Sequence, residues 1–356
     1  MKEEGHTMKK RADLVVACLV TMATAGCVPL LPTEDKPCPC GAGWRCDDGQ
    51  GVCVKADSGG GSCTPAWETM TSGATDLAGI WGASPTDVFA VGPNANIVHY
   101  DGTAWTPMTS PTQFHWMAVW GASSRDVFAV GGDWSVAAAI HYDGSSWKAI
   151  DPAVKLDLGS VWGTSPTDVF AGAGALGTGG HGGMILHYDG STWTQQYVSV
   201  SDQEQVMDVW GLGPRNVFAV GRGGDTPGCP VRHYDGLKWS EVSAPYVLNL
   251  WAVHGQANEV LAAGDTILRC DASRCVTMDG APRGNFMDIW VAGPDCVYAV
   301  GEDGSLGQKG SIVRFDGKTW NIEASGMGLL RGIWAADCEH VFVAASDGTV
   351  LRKTCK

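Results

Sequence analysis

Residues 79–105 read GIWGASPTDVFAVGPNANIVHYDGTAW, and this phrase returns in altered form along most of the 356-residue chain. Seven copies share one ring-bearing position before the first turn. It is held by Trp81, Trp120, Trp162, Trp210, His254, Trp290 and Trp334. The shortest step is 36 residues, from His254 to Trp290, and the longest is 48, from Trp162 to Trp210. Such spacing is typical of four short strands joined by variable loops, so the sequence predicts an all-β, seven-bladed β-propeller.

Each copy contains four short segments rich in β-branched and aromatic residues, separated by turn residues. This pattern predicts four antiparallel strands per copy. In the quoted copy, Asp101 and Gly102 open the last turn and bring Tyr100 opposite Trp105 as a cross-strand pair. A histidine recurs before the tyrosine and is interpreted as structural, because every copy builds the same unit. These histidines are His99, His141, His187 and His233.

The two ends of the repeat region complement each other. Residues 66–70 (AWETM) resemble the fourth strand of a copy, but the first three strands do not precede them. The seventh copy ends after its third strand, in TVLRKTCK at 349–356. We therefore expect the N-terminal strand to complete the seventh blade and close the ring, which removes an open sheet edge. Cys63 and Cys355 fall near the same turn in this arrangement, and we predict a disulfide between them.

The 13 cysteines indicate an oxidising compartment. In the fifth copy, Cys270 and Cys275 replace the tyrosine and tryptophan of the hairpin, and this geometry predicts a disulfide rather than a metal site. Cys296 and Cys338 occupy corresponding loops of adjacent copies and are predicted to form another bridge. Cys229, in a long loop, is then the unpaired thiol.

A compact segment, CPCGAGWRCDDGQGVC at 38–53, precedes the repeats. It is too short for a hydrophobic core, so we predict two disulfides within the set Cys38, Cys40, Cys46 and Cys53. Zinc binding is the alternative, although paired CxxC motifs are missing from the spacing. Residues 27–37 are interpreted as a tether, and residues 54–64 as a flexible linker to the propeller at 65–356.

Residues 1–26 have the features of a secretory signal. Basic residues 9–11 precede an apolar run from Leu14 to Ala25, which is too short to cross a bilayer. Met8 is a better start than Met1, because Glu3 and Glu4 do not fit a basic n-region. The small residues before Cys27 resemble a bacterial lipoprotein cleavage site, so Cys27 is predicted to carry a lipid. This predicts export to the bacterial cell envelope, as an outer-membrane lipoprotein or at the cell surface, with membrane contact through the lipid.

Function is expected where the copies differ. In a propeller, the loops between the second and third strands share one face with the loops between blades, and we call this the variable face. Residues outside the repeat pattern form the candidate ligand-binding set, because exposed rings beside polar groups are typical of sugar and protein sites. The set is His115, Trp116, Trp134, His181, Asp225 and Tyr246. Packing of the loops is the alternative role for each of them.

The preferred hypothesis is a non-catalytic binding module that recognises an envelope protein or a glycan. No catalytic residue, metal ligand or cofactor is predicted, and the net charge of −14 argues against nucleic acid as a partner. The alternative is a propeller-type polysaccharide hydrolase or lyase, which needs at least three suitable side chains around one substrate position. Its candidates are His115, His181, Arg222, Asp225, Arg283 and Asp303. The sequence leaves the oligomeric state open.

The repeat, with its W-G-x-S-x-x-D-V-F-A-V-G and H-Y-D-G-x-x-W motifs over residues 65–356, resembles the tandem units of bacterial surface lipoproteins of the propeller class. That resemblance implies a propeller fold and a surface location. The segments IVHY at 97–100 and GTAW at 102–105 are also similar to the units of tectonin-type propeller lectins. The second resemblance implies sugar-binding pockets between blades.

Overall fold

The computed structural model describes residues 44–47, 52–55, 65–133, 136–174, 182–199, 201, 204–223, 231–303 and 309–355. The chain divides into two compact units, Met1–Cys63 and Thr64–Lys356. In the first unit, β1 (Trp44–Asp47) pairs with β2 (Val52–Lys55) in an antiparallel ladder that sets Cys46 opposite Cys53. The predicted signal, the lipid site and the disulfides of this unit lie outside the described side chains. No helix within the described ranges is long and apolar enough to span a bilayer.

The second unit consists of seven four-stranded antiparallel sheets. The seven-bladed propeller predicted from the repeat is therefore confirmed. Blade 1 contains β4 (Gly79–Ser84), β5 (Asp87–Gly92), β6 (Asn96–Tyr100) and β7 (Trp105–Pro107). Blade 2 contains β8 (His115–Ser123), β9 (Asp126–Gly132), β10 (Ala137–Tyr142) and β11 (Trp147–Ile150). Blade 3 contains β12 (Leu158–Ser165), β13 (Asp168–Ala173), β14 (Met184–Tyr188) and β15 (Trp193–Val198).

The remaining blades follow the same strand order. Blade 4 contains β16 (Glu204–Gly213), β17 (Asn216–Gly223), β18 (Val231–Tyr234) and β19 (Trp239–Val242). Blade 5 contains β20 (Leu250–Gln256), β21 (Glu259–Gly264), β22 (Ile267–Cys270) and β23 (Cys275–Thr277). Blade 6 contains β24 (Gly284–Gly293), β25 (Cys296–Asp303), β26 (Lys309–Phe315) and β27 (Trp320–Met327). Blade 7 contains β28 (Leu330–Ala335), β29 (Val341–Ala345), β30 (Thr349–Cys355) and β3 (Pro65–Thr71).

The fourth strand of blade 7 comes from the N-terminal end of this unit. Strand β3 runs antiparallel to β30, with Thr71 opposite Thr349 and Pro65 opposite Cys355. The first strand of each blade packs against the first strand of the next blade, and β28 packs against β4. The seven first strands therefore form a complete inner ring. The side chain of Cys355 and the whole of Cys63 lie outside the described residues, so their predicted disulfide stays a prediction.

The last hairpin of the blades follows the predicted register. Tyr100 lies opposite Trp105 with ring centroids 5.3 Å apart. The turn between them is held by Asp101, whose Oδ1 accepts the N–H groups of Thr103 and Ala104. Gly102 adopts a φ of +90°, which suits glycine. The same ring pairing occurs in Tyr142–Trp147, Tyr188–Trp193, Tyr234–Trp239 and Phe315–Trp320.

Two disulfides lie in the described part of the propeller. Cys270 is bonded to Cys275 at the hairpin position that elsewhere holds the ring pair. Cys296 is bonded to Cys338, which joins the loops of blades 6 and 7. Cys229 lies outside the described residues, so its predicted free thiol stays a prediction.

The recurrent histidines make contacts inside their own blades. The Nε2 atom of His99 lies 2.7 Å from Oδ1 of Asp87, at the start of the neighbouring strand. In blade 5 arginine replaces the histidine and glutamate replaces the aspartate, and Arg269 pairs with Glu259. The second and third strands of these blades are thus joined by a polar contact whose members vary between copies. The other histidine contacts are His141–Asp126, His187–Asp168 and His233–Asn216.

Packing between blades explains why glycine follows tryptophan in the repeat. A Cβ added to Gly82 of blade 1 would lie 2.8–2.9 Å from three ring atoms of Trp334 in blade 7. The tryptophan of one blade therefore occupies the space that a side chain would take in the next blade. The same clash with the preceding blade's tryptophan occurs at four more glycines. The pairs are Trp81–Gly121, Trp120–Gly163, Trp162–Gly211 and Trp210–Gly255.

Two boundaries depart from this pattern: blade 7 carries Ala335 where most copies have glycine, and the boundary between blades 5 and 6 departs further. Blade 5 carries His254 instead of tryptophan, and blade 6 carries Val291 instead of glycine. The Nδ1 atom of His254 accepts the N–H of Val291 at 3.0 Å, and the imidazole stacks on Trp290 with centroids 4.0 Å apart. A smaller ring on one blade is thus matched by a larger aliphatic side chain on the next.

This packing rule predicts the behaviour of a double-mutant cycle at Gly82 and Trp334. Gly82→Val should lower the free energy of unfolding by about 1–3 kcal/mol, because Trp334 fills the space that valine needs. Combining it with Trp334→His, which recreates the His254–Val291 pair, should give a destabilisation at least about 0.5 kcal/mol smaller than the sum of the two single changes. Urea denaturation of the four proteins measures this coupling. Strict additivity would contradict the rule.

Candidate functional site

The central channel forms a cavity within the described part of the propeller. Its volume is about 220 Å³, far above the roughly 10–15 Å³ that one water molecule requires. The first strands of all seven blades line it. Because the first strand of a blade begins at the variable face, the N-terminal ends of these strands surround the channel at that face.

A β-bulge interrupts the first strand of six blades at the same place. The ladder skips one residue there, for example between Trp116 and Ala118 in blade 2. Bulges re-aim side chains, and here the skipped residues line the channel at its variable-face end. They are Met117, Gly159, Met207, Trp251, Met287 and Arg331. Three thioethers and one indole give this end an adaptable apolar lining.

Two of these residues have fixed polar partners. The indole N–H of Trp251 donates to Oδ1 of Asn285 at 2.7 Å. Arg331 forms an ion pair with Asp76 at 3.2 Å, and both side chains remain about a quarter exposed. Burial raises the pKa of Asp76, against the effect of the guanidinium. Arg331 is therefore the cationic group of the channel lining within the described residues.

Deeper in the channel, two carboxylates connect neighbouring blades. Asp208 of blade 4 accepts its own Val209 N–H at 2.8 Å and the Val253 N–H of blade 5 at 2.7 Å. Asp288 of blade 6 repeats this geometry, and both of its bonds measure 2.8 Å. Its partners are the N–H groups of Ile289 and of Ile333 in blade 7. Each carboxylate thus joins two first strands whose inner edges face the channel.

The low polarity of the surroundings shifts the titration of the channel groups. Burial raises the pKa of Asp288 to about 7. Burial also raises the pKa of Asp208 well above its usual range, and the negative charge of Asp288 adds to this shift. Burial lowers the pKa of His254 to about 3, so this imidazole is neutral at physiological pH. Within the described residues, no group of three or more His, Cys, Asp or Glu side chains could hold a metal ion.

On the variable face, the loop from blade 4 to blade 5 presents apolar side chains to solvent. Tyr246 is 68 % exposed and Leu248 is 56 % exposed, whereas Val247 between them is buried. Asp265 fixes this loop, because its carboxylate accepts the N–H groups of Leu248 and Asn249 and the amide of Asn249. The short turn between β21 and β22 thus holds the backbone at Leu248 and Asn249.

The structure corrects the prediction for Trp116. Its side chain is completely buried, packs with the cores of blades 1 and 2, and donates to Oγ of Ser110 at 3.3 Å. The bulge after Trp116 turns its ring into the core and Met117 toward the channel. Trp116 is therefore a core residue and cannot contact a ligand at the surface.

The other candidates differ in position. His115 is half-buried, and its Nδ1 accepts the N–H of Asn94 at 3.0 Å. Arg222 and Arg283 are exposed, and no hydrogen bond or ion pair joins any two of these three described side chains. Trp134, His181, Asp225 and the side chain of Asp303 lie outside the described residues, so their roles stay predictions. Tyr246 has the exposure expected of a binding residue.

Sequence reasoning missed the two channel carboxylates. The signal was present, because MDVW at 207–210 and MDIW at 287–290 are the copies with an acidic residue two positions before the shared tryptophan. Their hydrogen bonds to the next blade depend on the bulge and on the spacing of the blades. Neither feature can be read from one copy of the repeat.

Comparison with known proteins bears on the fold alone. No protein-family model matches this chain, and no curated protein matches it in sequence. Among solved structures, YCF48 bound to D1 peptide has a TM-score of 0.61 at 16% identity, covering 82% of this chain and 97% of that one. Virginiamycin B lyase from Staphylococcus aureus has a TM-score of 0.64 at 13% identity, with coverage of 82% and 100%.

A third neighbour is the WD40 propeller domain of Doa1. Its TM-score is 0.61 at 10% identity, and the match covers 81% of this chain and 97% of that one. These neighbours have different functions on one architecture, so they support the propeller fold and assign no activity.

The shifted titration of Asp288 predicts a pH effect on stability. Its pKa is about 7 when folded and about 4 when unfolded, so the folded protein keeps a proton that the unfolded chain releases between these values. Stability should therefore fall as pH rises from about 4 to about 7. Relative to Asp288→Asn, wild type should lose on the order of 1–3 kcal/mol across this range, as measured by urea denaturation at pH 4.5, 6 and 8.

A control with the opposite sign is available at Asp189. Hydrogen bonds from Ser191 and nearby backbone lower its pKa to about 2, so wild type should gain stability over Asp189→Asn as pH rises from about 2 to about 4. Parallel pH profiles for wild type and Asp288→Asn would contradict the assignment to Asp288.

Proposed function

We propose that this propeller is a non-catalytic binding module that recognises a protein or a glycan through its variable face. The observation that carries the proposal is the exposed pair Tyr246 and Leu248, in a loop that Asp265 holds at the Leu248 backbone. A preformed loop loses little conformational freedom on binding, and exposed aromatic rings are common anchors of binding sites.

The loops around this pair are unequal in length. Two residues separate β21 from β22 in blade 5, whereas seven separate β17 from β18 in blade 4 and five separate β25 from β26 in blade 6. The short turn of blade 5 thus leaves Tyr246 and Leu248 accessible between two blades with longer loops. YCF48, a propeller of similar fold, has been solved with a peptide bound, which makes a peptide segment a reasonable class of ligand.

Binding is favoured over turnover on chemical grounds. A polysaccharide hydrolase or lyase needs an acid and a base held near one reacting position. Of the candidates for that role, His115 is engaged by the Asn94 backbone, while Arg222 and Arg283 are exposed and make no contact with each other or with His115 in the described structure. Virginiamycin B lyase demonstrates that a propeller can support elimination chemistry, so turnover is measured alongside binding.

A binding screen tests this proposal. The full chain should give a saturable signal with a component of a glycan array or a peptide array, and combined Tyr246→Ser and Leu248→Ser changes should weaken it at least tenfold. Leu237→Ser is the matched control, because Leu237 is 84 % exposed in a hairpin turn on the opposite face. Equal loss in the control, blank arrays, or cleavage of a polysaccharide would contradict the proposal.

We further propose that the protein is exported and held at the bacterial envelope by a lipid on Cys27, as in the surface lipoproteins that its repeat resembles. The basic and apolar segments before Cys27 support this location. The lengths of 27–37 and 54–64 would allow the propeller to reach partners away from the membrane.

The lipid anchor predicts a specific fractionation result. In a bacterial host, the wild-type chain should sediment with membranes and need detergent for release, whereas Cys27→Ala should shift most of the protein to the soluble fraction. Cys18→Ala, within the predicted signal, should behave as wild type. Membrane association that survives Cys27→Ala would contradict lipidation at this residue.

A further inference from the structure

The inner edge of the propeller carries a ring of backbone donors. Each first strand pairs with the second strand on one side only, so alternate N–H groups of the first strand point toward the channel. In blade 4 the donor is the residue that follows Asp208, and in blade 6 it is the residue that follows Asp288. The ladders place a donor at the equivalent residue of every blade. These donors belong to Ile80, Val119, Val161, Val209, Val253, Ile289 and Ile333.

Four of the seven donors already have carboxylate acceptors. Asp208 takes the N–H groups of blades 4 and 5, and Asp288 takes those of blades 6 and 7. The four bonds measure 2.7–2.8 Å. One carboxylate thus fits two adjacent blades, with one oxygen for each N–H.

The other three donors form an arc without such an acceptor. Ile80, Val119 and Val161 are all more than nine-tenths buried and line the channel cavity. The equivalent of the aspartate position holds Gly79, Ala118 or Ser160, and no side chain of the described residues accepts from these three N–H groups. The buried Ser160 hydroxyl also has no hydrogen-bond partner among the described residues.

We propose that this arc, in blades 1–3, binds the carboxylate of a ligand that enters the channel from the variable face. The carboxylate would bridge the N–H groups of two adjacent blades, either Ile80 and Val119 or Val119 and Val161, as Asp208 bridges Val209 and Val253. A backbone N–H in such a cavity needs an acceptor, and a carboxylate supplies one oxygen for each of two N–H groups.

The surroundings of the arc fit an acid on an apolar stem. Arg331 of blade 7 lies next to blade 1 in the ring and lines the same cavity, so it supplies a positive charge on that side. Nearer the variable face, Met117, Met207, Met287 and Trp251 line the wall with thioether and indole groups. A short aliphatic acid would place its carboxylate at the N–H arc and its hydrocarbon chain against these residues.

A cation is the less suitable occupant of the same cavity. Each oxygen of Asp208 and Asp288 already accepts a backbone N–H, and burial favours the neutral form of both groups. The donors without an acceptor are N–H groups, and these require an oxygen lone pair. The inference is independent of the variable loops, because every group that it uses belongs to the first strands.

The direct test is titration of the full chain with hexanoate, followed by isothermal calorimetry and by ligand-observed NMR. Hexanoate should bind with saturation at one site, and hexanamide, which has the same length but no charge, should bind at least tenfold more weakly. An absence of saturable hexanoate binding, or equal binding of the amide, would overturn the proposal.

Two variants test the location of the site. Ala118→Asp would place an internal carboxylate where it can bridge Val119 and Val161, so hexanoate affinity should fall at least tenfold. Thr106→Asp, on the exposed outer strand β7, adds the same charge far from the channel and should bind hexanoate as wild type does.

Arg331→Gln guards against misfolding of the Ala118 variant, because it keeps the backbone arc while it removes the nearby cation and its ion pair with Asp76. It should weaken hexanoate binding about threefold to tenfold while hexanamide binding stays unchanged. Wild-type affinity in both Ala118→Asp and Arg331→Gln would overturn the proposed site, even if hexanoate binds elsewhere. Binding through Tyr246 and Leu248 would remain a separate question, since neither residue lines the channel.

Discussion

The contact of a tryptophan ring with the glycine of the next blade is the constraint on which the structure depends. Trp334 packs where Gly82 has no side chain, and this contact joins blade 7 to blade 1 as the corresponding contacts join blades 1 to 5. Packing at interior density tolerates little change in volume, so the distance between first strands is set by this pair. A regular distance repeated around the ring then fixes the width of the channel.

A closed ring of this kind leaves backbone N–H groups without a strand partner at its centre. The inner edge of each first strand has no neighbouring strand to accept its N–H groups, and buried donors need acceptors. In blades 4–7 the carboxyl groups of Asp208 and Asp288 accept these N–H groups, and both carboxyl groups are buried as a result. Blades 1–3 carry no aspartate at this position, which makes the channel asymmetric although the fold is nearly sevenfold.

Features of the fold could be predicted from the sequence when the interacting residues lie close together along the chain. The turn at Asp101 and the Tyr100–Trp105 pair involve residues close in sequence, so one copy of the repeat was enough to predict them. The burial of Trp116 was missed because a bulge of one residue decides which side chain faces the core. The channel carboxylates were missed because their partners, such as Val253 for Asp208, lie 45 residues away.

Two departures from the repeat occur in pairs that face each other across a blade boundary. His254 is matched by Val291, and at the next boundary Tyr298 and Lys353 replace the phenylalanine and tyrosine that meet elsewhere at about 5.8 Å, as in Phe89 and Tyr142. The buried ammonium of Lys353 donates to the hydroxyl of Tyr298 at 2.6 Å and to the carbonyl of Cys338 at 3.0 Å. The unit that tolerates change is therefore the interface between two blades.

Paired changes across a blade boundary help to distinguish residues that vary for structural reasons from residues that vary for functional ones. A change inside the ring is compatible with folding when its partner in the adjacent blade changes too, because each interface must keep its volume and its hydrogen bonds. Tyr246 and the aspartates of the channel lack a repeated counterpart on the neighbouring blade, and nothing in the packing of the ring requires a tyrosine to be exposed to solvent. Tyr246 therefore differs from Asp208 and Asp288: the aspartates accept backbone N–H groups of the ring, whereas ring closure does not explain the exposed tyrosine on the variable face.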